Sequence, residues 1–219
     1  PVLDLNGISQ VIGKRSFSAD KDEVALLAGA FIKGMQQAGM ASVGKHFPGH
    51  GSVEADSHIA KPVDLRSKQQ IFADDMQPFK QLIAKQSVQG IMPAHVIYPN
   101  VDPNPAGFSP YWLQDILRQE LGFNGVIFSD DLGMKGAAVA GGYVDRAQAA
   151  IDAGCNMILV CNDSAGATAV LEGVDWPQGE QSVTAKALKP DYSAVANALQ
   201  NSERWEKAKV IADKIRQAC

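Results

Sequence analysis

Apolar positions alternate along the chain between short runs and helical stripes. Val2-Leu3 and Leu5 form a brief run that stops at Asn6-Gly7. From about 21 to 38, Val24, Leu27, Ala28, Phe31 and Met35 recur at three- and four-residue spacing, which predicts an amphipathic helix with those side chains inward. Gly39 supplies its stop. Ala41 to Phe47 reads as a second strand. Ile71, Met76, Phe79, Leu82 and Ile83 predict one helix over about 67–85. Gly90 to Val96 is a third strand, in which Pro93 marks a sheet edge or a strand end. Ser109-Pro110 is a helix start, a side-chain cap followed by proline in the first turn. Its inner face is Trp112, Leu113, Ile116, Leu117 and Leu121, and Gly122 ends it. Gly125 to Phe128 is a fourth run, closing on Ser129-Asp130-Asp131. A helix over about 143–153 ends at Gly154, and Asn156 to Asn162 is a fifth strand. Past about 175, Pro177, Gly179 and Pro190 predict a loose connection. A last helix over about 202–217 is expected to bury Trp205, Ala208, Ile211 and Ile215.

The strand runs do not alternate, which is the pattern of parallel strands covered on both faces. Strand and helix taken in turn predict an α/β fold with right-handed crossovers. Polar residues gather where the runs end: Asn6, residues 46–58, His95, Asp130-Asp131 and Asn162-Asp163. Chemistry in barrels and open α/β sheets sits at those carboxyl ends. Five β/α units are legible, and a closed (β/α)8 TIM-type barrel needs three more. Pro1-Val2-Leu3-Asp4-Leu5 reads like the inside of a buried strand, so the expectation is a barrel whose N-terminal strands precede this stretch.

Composition narrows the function classes. The 219 residues suit one large domain, taken here as a single catalytic domain over 1–219. With 46% hydrophobic and 20% charged residues the chain is ordinary for a globular protein. A net charge of −4 is no footprint for nucleic acid or an anionic membrane, and no apolar run is long enough to span a bilayer. Cys155, Cys161 and Cys219 are odd in number and fit no zinc-ribbon spacing. Cys155 and Cys161 flank an apolar run and read as small core residues, which suits a reducing, cytoplasmic setting.

Three of the four histidines fall within residues 45–58, together with Lys45, Glu54 and Asp56. Pro48, Gly49 and Gly51 forbid a helix there, so a strand must open into a loop. In an extended segment Asp56 and His58 share a face, and a carboxylate beside an imidazole fixes its tautomer and stabilises its cation, as an acid–base catalyst requires. Asp130 and Asp131 end the most apolar run. Because strand neighbours point to opposite faces, one of them is expected in the pocket and the other on backbone. A carboxylate so placed serves as nucleophile, base or metal ligand. His46, His50 and His58 with Asp56 form an alternative metal set, with no helix to align the first pair. Arg15 and Lys45 are suited to clamping hydroxyls or a carboxylate. His95 suits a buried backbone carbonyl equally well.

Taken together, Lys45-His46-Phe47-Pro48-Gly49-His50-Gly51, Asp56-Ser57-His58 and Pro62 resemble the signature loop of bacterial β-N-acetylhexosaminidases of glycoside hydrolase family 3. Ile116-Leu117-Arg118-x-Glu120 and Gly125 to Leu132 resemble that family's nucleophile segment, and Arg15-Ser16-Phe17 and Met92-Pro93-Ala94-His95 also fit. The resemblance implies a (β/α)8-type barrel that removes terminal β-N-acetylglucosamine with retention, from muropeptides of the N-acetylglucosaminyl-anhydro-muramoyl type during cell-wall recycling. It implies Asp130 as nucleophile, His58 with Asp56 as acid–base pair, and Arg15, Lys45 and His46 on the sugar hydroxyls. It implies no metal and no organic cofactor, and a cytoplasmic monomer whose partner is a small amino-sugar rather than nucleic acid or membrane. Retaining hydrolysis needs a nucleophile and an acid/base on opposite sides of the bond, and a histidine adds no second anion beside Asp130. Competing readings are a metal-dependent hydrolase on a barrel using His46, His50, His58 and Asp130, a phosphorylase of the same sugar, and a sugar binder without turnover.

Overall fold

The computed structural model describes residues 1–53, 62–177, 185–200 and 202–218. Among the described residues six strands occur in this order: β1 (Val43–Phe47), β2 (Gly90–Pro93), β3 (Ile97–Tyr98), β4 (Asp102–Pro105), β5 (Val126–Asp131) and β6 (Met157–Leu159). β1, β2, β5 and β6 lie side by side in that order, all parallel. Val2 bridges Lys45 in parallel at the outer edge of β1, where the Leu3 amide donates to the Lys45 carbonyl at 2.6 Å. β3 and β4 form a small antiparallel pair beside the sheet. The α/β class and the parallel pairing follow the apolar runs. Spatial order follows chain order with no reversal, unlike a doubly wound sheet. Among the described residues the sheet is open, from the Val2 bridge to β6.

β2 is central and every residue in it is buried, so Pro93 marks a strand end rather than an edge. Its missing N–H costs nothing where pairing stops. β6 is shorter than the predicted 156–162 run and only half covered, with Met157 outward, because it is the last strand on its side among the described residues. The core over the sheet is aromatic. Phe47 meets Phe79 edge-on at 5.5 Å, and Tyr98 meets Trp112 at 5.3 Å.

Helix positions match the periodicity better than helix faces do. α1 (Lys21–Gln37) is capped by the Asp20 carboxylate, which accepts the Asp22 and Glu23 amides at 2.9 Å. Its buried face is Val24, Ala25, Ala28 and Ile32, whereas Leu27 and Phe31 point outward and Met35 is half-buried. The small residues Ala25, Ala28 and Gly29 let α1 settle against the next helical layer, with Gly29 near Leu82. Close approach along that small-residue stripe outweighs the larger side chains beside it.

The single helix expected over 67–85 is two, α2 (Lys68–Ala73) and α3 (Gln77–Ala84). Between them Asp75 is fully buried and bound to Arg66 at 2.6 Å, and Pro78 sits in the first turn of α3. The chain breaks to deliver that carboxylate, and all five predicted apolar side chains are still buried. Tyr111–Glu120 is wound at the wide π pitch, with the Ser109 hydroxyl accepting the Trp112 amide at 3.1 Å. Leu121 is only partly buried. α4 (Tyr143–Ala153) ends at Gly154, whose φ of +113° only glycine takes readily. α5 (Ser164–Gly173) follows β6.

The tail departs from expectation. A helix not predicted, α6 (Tyr192–Gln200), precedes α7 (Ser202–Ala218). Trp205, Ala208, Ile211 and Ile215 of α7 are exposed rather than buried. Trp205 and Ala208 border a groove shared with the end of α1, at Gly34, Gln37 and Ala38. Nothing among the described residues covers Ile211 and Ile215, so periodicity alone does not bury them. Cys155 is buried, but Cys161 is exposed, against the core reading, because β6 has already ended. Cys219 lies outside the described residues. No described helix is long and apolar enough to cross a membrane.

Candidate active site

The sheet's carboxyl ends converge on a cavity of about 160 Å³. Arg15, Lys45, His46, His50, Asp130 and Asp131 line it, with Val11 and Met134 as the apolar wall. Lys45 and His46 come from β1, whose end turns sharply into the glycine-rich loop; the Lys45–His46 and Phe47–Pro48 bonds are cis. Arg15 closes a short 3-10 turn, Gly13–Arg15, and its Nε donates to the Val11 carbonyl at 2.9 Å. Gly51 brings the loop against the first segment. A Cβ there would lie 1.9 Å from the Leu5 carbonyl oxygen, so no larger residue fits without moving backbone.

Beneath the loop lies Asp4, fully buried. Its carboxylate accepts the His46 amide at 3.1 and 3.2 Å, the His46 ring through Nδ1 at 2.7 Å, and the His50 amide at 2.7 Å. Burial alone pushes such a carboxyl up, but the His46 ring and these donors outweigh it and hold Asp4 below the usual carboxylate range. The His50 ring meets His46 edge-on at 6.0 Å. Burial pushes the His50 pKa down despite the nearby Asp4 charge. Its Nε2 has no hydrogen-bond partner among the described residues.

At the end of β5 both aspartates border the cavity, against the expectation that one would turn away. The pairing of β5 with β6 shifts register between Phe128 and Asp131, so the strict alternation of a pleat does not hold there. Their bonding still differs. Asp131 Oδ1 accepts the Gly133 amide at 2.9 Å and the Cys161 amide at 3.0 Å, tying β5 to the segment after β6. Asp130 accepts only the adjacent Asp131 amide, at 2.8 Å, among the described bonds. Of the residues singled out from the sequence, Arg15, Lys45, His46 and Asp130 thus share one cavity. Asp56 and His58 lie outside the described residues. His95 is fully buried against Phe108, centroids 5.1 Å apart, and burial lowers its pKa. It stands near the Asp130 and Asp131 carbonyls without a well-directed bond to either.

The loop is buttressed from the other side. The Arg66 guanidinium takes Asp64 through Nε at 3.0 Å and Nη2 at 2.7 Å, and Asp75 through Nη1 at 2.6 Å. The Tyr98 hydroxyl donates to the Gly49 carbonyl at 2.6 Å. Among the described residues no three His, Cys, Asp or Glu side chains converge as metal ligands would. Sequence reasoning passed over Asp4. The signal is a carboxylate closing the Val2-Leu3 run at a strand's carboxyl end, masked by Leu5, which extends the apolar run to Asn6.

Residues 1–187 match the N-terminal domain of glycosyl hydrolase family 3. The chain belongs to glycosyl hydrolase family 3. Its similarity to other proteins in that context is extensive. It is 66% identical over 212 residues to the β-hexosaminidase of Shewanella frigidimarina, covering 97% of this chain and 62% of that protein. Native NagZ from Neisseria gonorrhoeae superposes with a TM-score of 0.81 at 44% identity, over 91% of this chain and 58% of that one. NagZ from the same organism in complex with N-trifluoroacetyl-D-glucosamine also gives 0.81, at 43% identity and the same coverage. The chain therefore spans about three-fifths of the length of these relatives, and the residues lining the cavity lie within the 1–187 family match.

Proposed function

We propose that this protein acts as a β-N-acetylhexosaminidase, a retaining exo-glycosidase that releases terminal β-linked N-acetylglucosamine. The observation that carries the reading is the gathering of Asp130 with Arg15, Lys45 and His46 in one small cavity at the sheet's carboxyl ends. The relatives' name and the N-acylated glucosamine held by the Neisseria NagZ support the same sugar class. The described sheet is then an arc of a (β/α)8 barrel, consistent with sequential parallel order.

In this reading Arg15, Lys45 and His46 hold the sugar's hydroxyls. Asp130 attacks the anomeric carbon as the glycosidic bond breaks, and His58, supported by Asp56, gives the leaving oxygen its proton. Water, deprotonated by the same histidine, then displaces Asp130 and restores the configuration. The substrates are cell-wall muropeptides of the N-acetylglucosaminyl-anhydro-muramoyl type, met in the cytoplasm by a monomer that uses no metal.

The test is a mechanism-based trap on the full-length protein. A fluorinated N-acetylglucosaminyl inactivator is expected to leave its sugar on Asp130, found by peptide mass spectrometry, and chelator is expected to leave turnover unchanged. A label on another carboxylate, or chelator-sensitive turnover, overturns the assignment and favours metal-dependent hydrolysis.

A further inference from the structure

We propose that Asp4 is a positioning residue for the sugar site, acting through the His46 ring: it keeps the ring proton on Nδ1 and so leaves Nε2 as the atom His46 presents to ligand. The inference rests on the glycosidase reading of the cavity. Its basis is the bonding of one carboxylate. Asp4 is fully buried and receives the His46 amide, the His50 amide and the His46 ring. An ionised carboxylate only accepts hydrogen bonds, so the 2.7 Å contact requires the proton to be on Nδ1. The bond made by one ring nitrogen decides what the other offers. The ring borders the cavity, so Nε2 is the polar atom left to accept from a hydroxyl. The two backbone amides fix where the ring stands, and the side-chain contact fixes its rotation and tautomer. Asp4 is fully buried and does not line this cavity, so its influence on a ligand there passes through His46.

The decisive variant is Asp4→Asn. The amide keeps an oxygen for the backbone donors but can turn an N–H toward Nδ1, moving the ring proton to Nε2. Nitrogen-15 NMR of the full-length protein reads the tautomer directly, with the His46 signals identified by their loss in His46→Gln. A protonated Nδ1 in the wild type that becomes unprotonated in Asp4→Asn supports the proposal. An unprotonated Nδ1 in the wild type overturns it, and needs no variant to fold. Kinetics on an aryl N-acetyl-β-glucosaminide give the second readout. Asp4→Asn is expected to lower kcat/KM by about tenfold to a hundredfold, the worth of one charge-assisted hydrogen bond. The same change made in His46→Gln is expected to cost nothing further. An undiminished cost in that background would show a purely structural role and sink the proposal. If the wild type does not cleave the glycoside at all, the glycosidase reading fails, while NMR still judges the link between Asp4 and His46.

Discussion

Asp130 and Asp131 are adjacent carboxylates with different bonding. Asp131 spends its Oδ1 on two backbone amides and joins β5 to the chain after β6. Among the described residues Asp130 accepts only its neighbour's amide, and it borders the cavity. The two should therefore fail differently. Asp130→Asn is expected to reduce kcat by on the order of 10⁴ while sugar binding, followed by calorimetry, stays within a few-fold, as for loss of a nucleophile. Asp131→Ala is expected to lower unfolding free energy by about 1–3 kcal/mol for its stranded amides, read by urea denaturation. Equal kinetic losses from both substitutions would count against this division. The adjacency of the two acids was plain in the sequence. That both would reach the cavity was not, because the register shift depends on how β6 docks.

At the scale of elements, ends were more legible than faces. Strand ends could be read because each apolar run stops at a polar residue, and that rule located Lys45, His46 and Asp130. The inner face of α1 could not be read from hydrophobicity. Its contact follows Ala25, Ala28 and Gly29, whose small size permits close packing, while Leu27 and Phe31 lie outside it. The break between α2 and α3 was invisible for another reason: it exists to place Asp75 on Arg66, a contact set by tertiary geometry. Arg66 thus pins together the segment before α2, the α2–α3 turn and, next to Asp75, the base of the glycine loop. Arg66→Ala leaves two buried carboxylates without their cation and should cost about 3–5 kcal/mol in denaturant unfolding. A loss under 1 kcal/mol would mean that the pair relaxes into solvent.

For the whole molecule, buried titratable groups predict how stability responds to acid. His50 and His95 are both held below the ordinary histidine range, chiefly by burial. The unfolded chain binds their protons first, so their contribution is complete above about pH 6.5 and is lost as pH falls below it. Asp4 is also lowered, so its contribution persists to lower pH and is lost as pH falls below about 4. Asp75, raised chiefly by burial, works in the opposite direction over the acid range. Urea midpoints should fall between pH 7 and 5, and His95→Gln should flatten that slope. A flat profile in the wild type would show that the histidines are not buried in neutral form.

The Asp4 contact has a consequence for how the molecule assembles. It joins parts of the chain 42 and 46 residues apart, and the same two oxygens hold a histidine ring and the backbone of the loop that carries it. Closing such a span costs chain entropy, which local structure does not offset and only the docked sheet edge can. Helix α1 lies wholly between those two points and needs neither. The contact between Asp4 and the His46 ring is therefore expected to form after the local helices, an order that phi-values measured at Asp4 and along α1 would check.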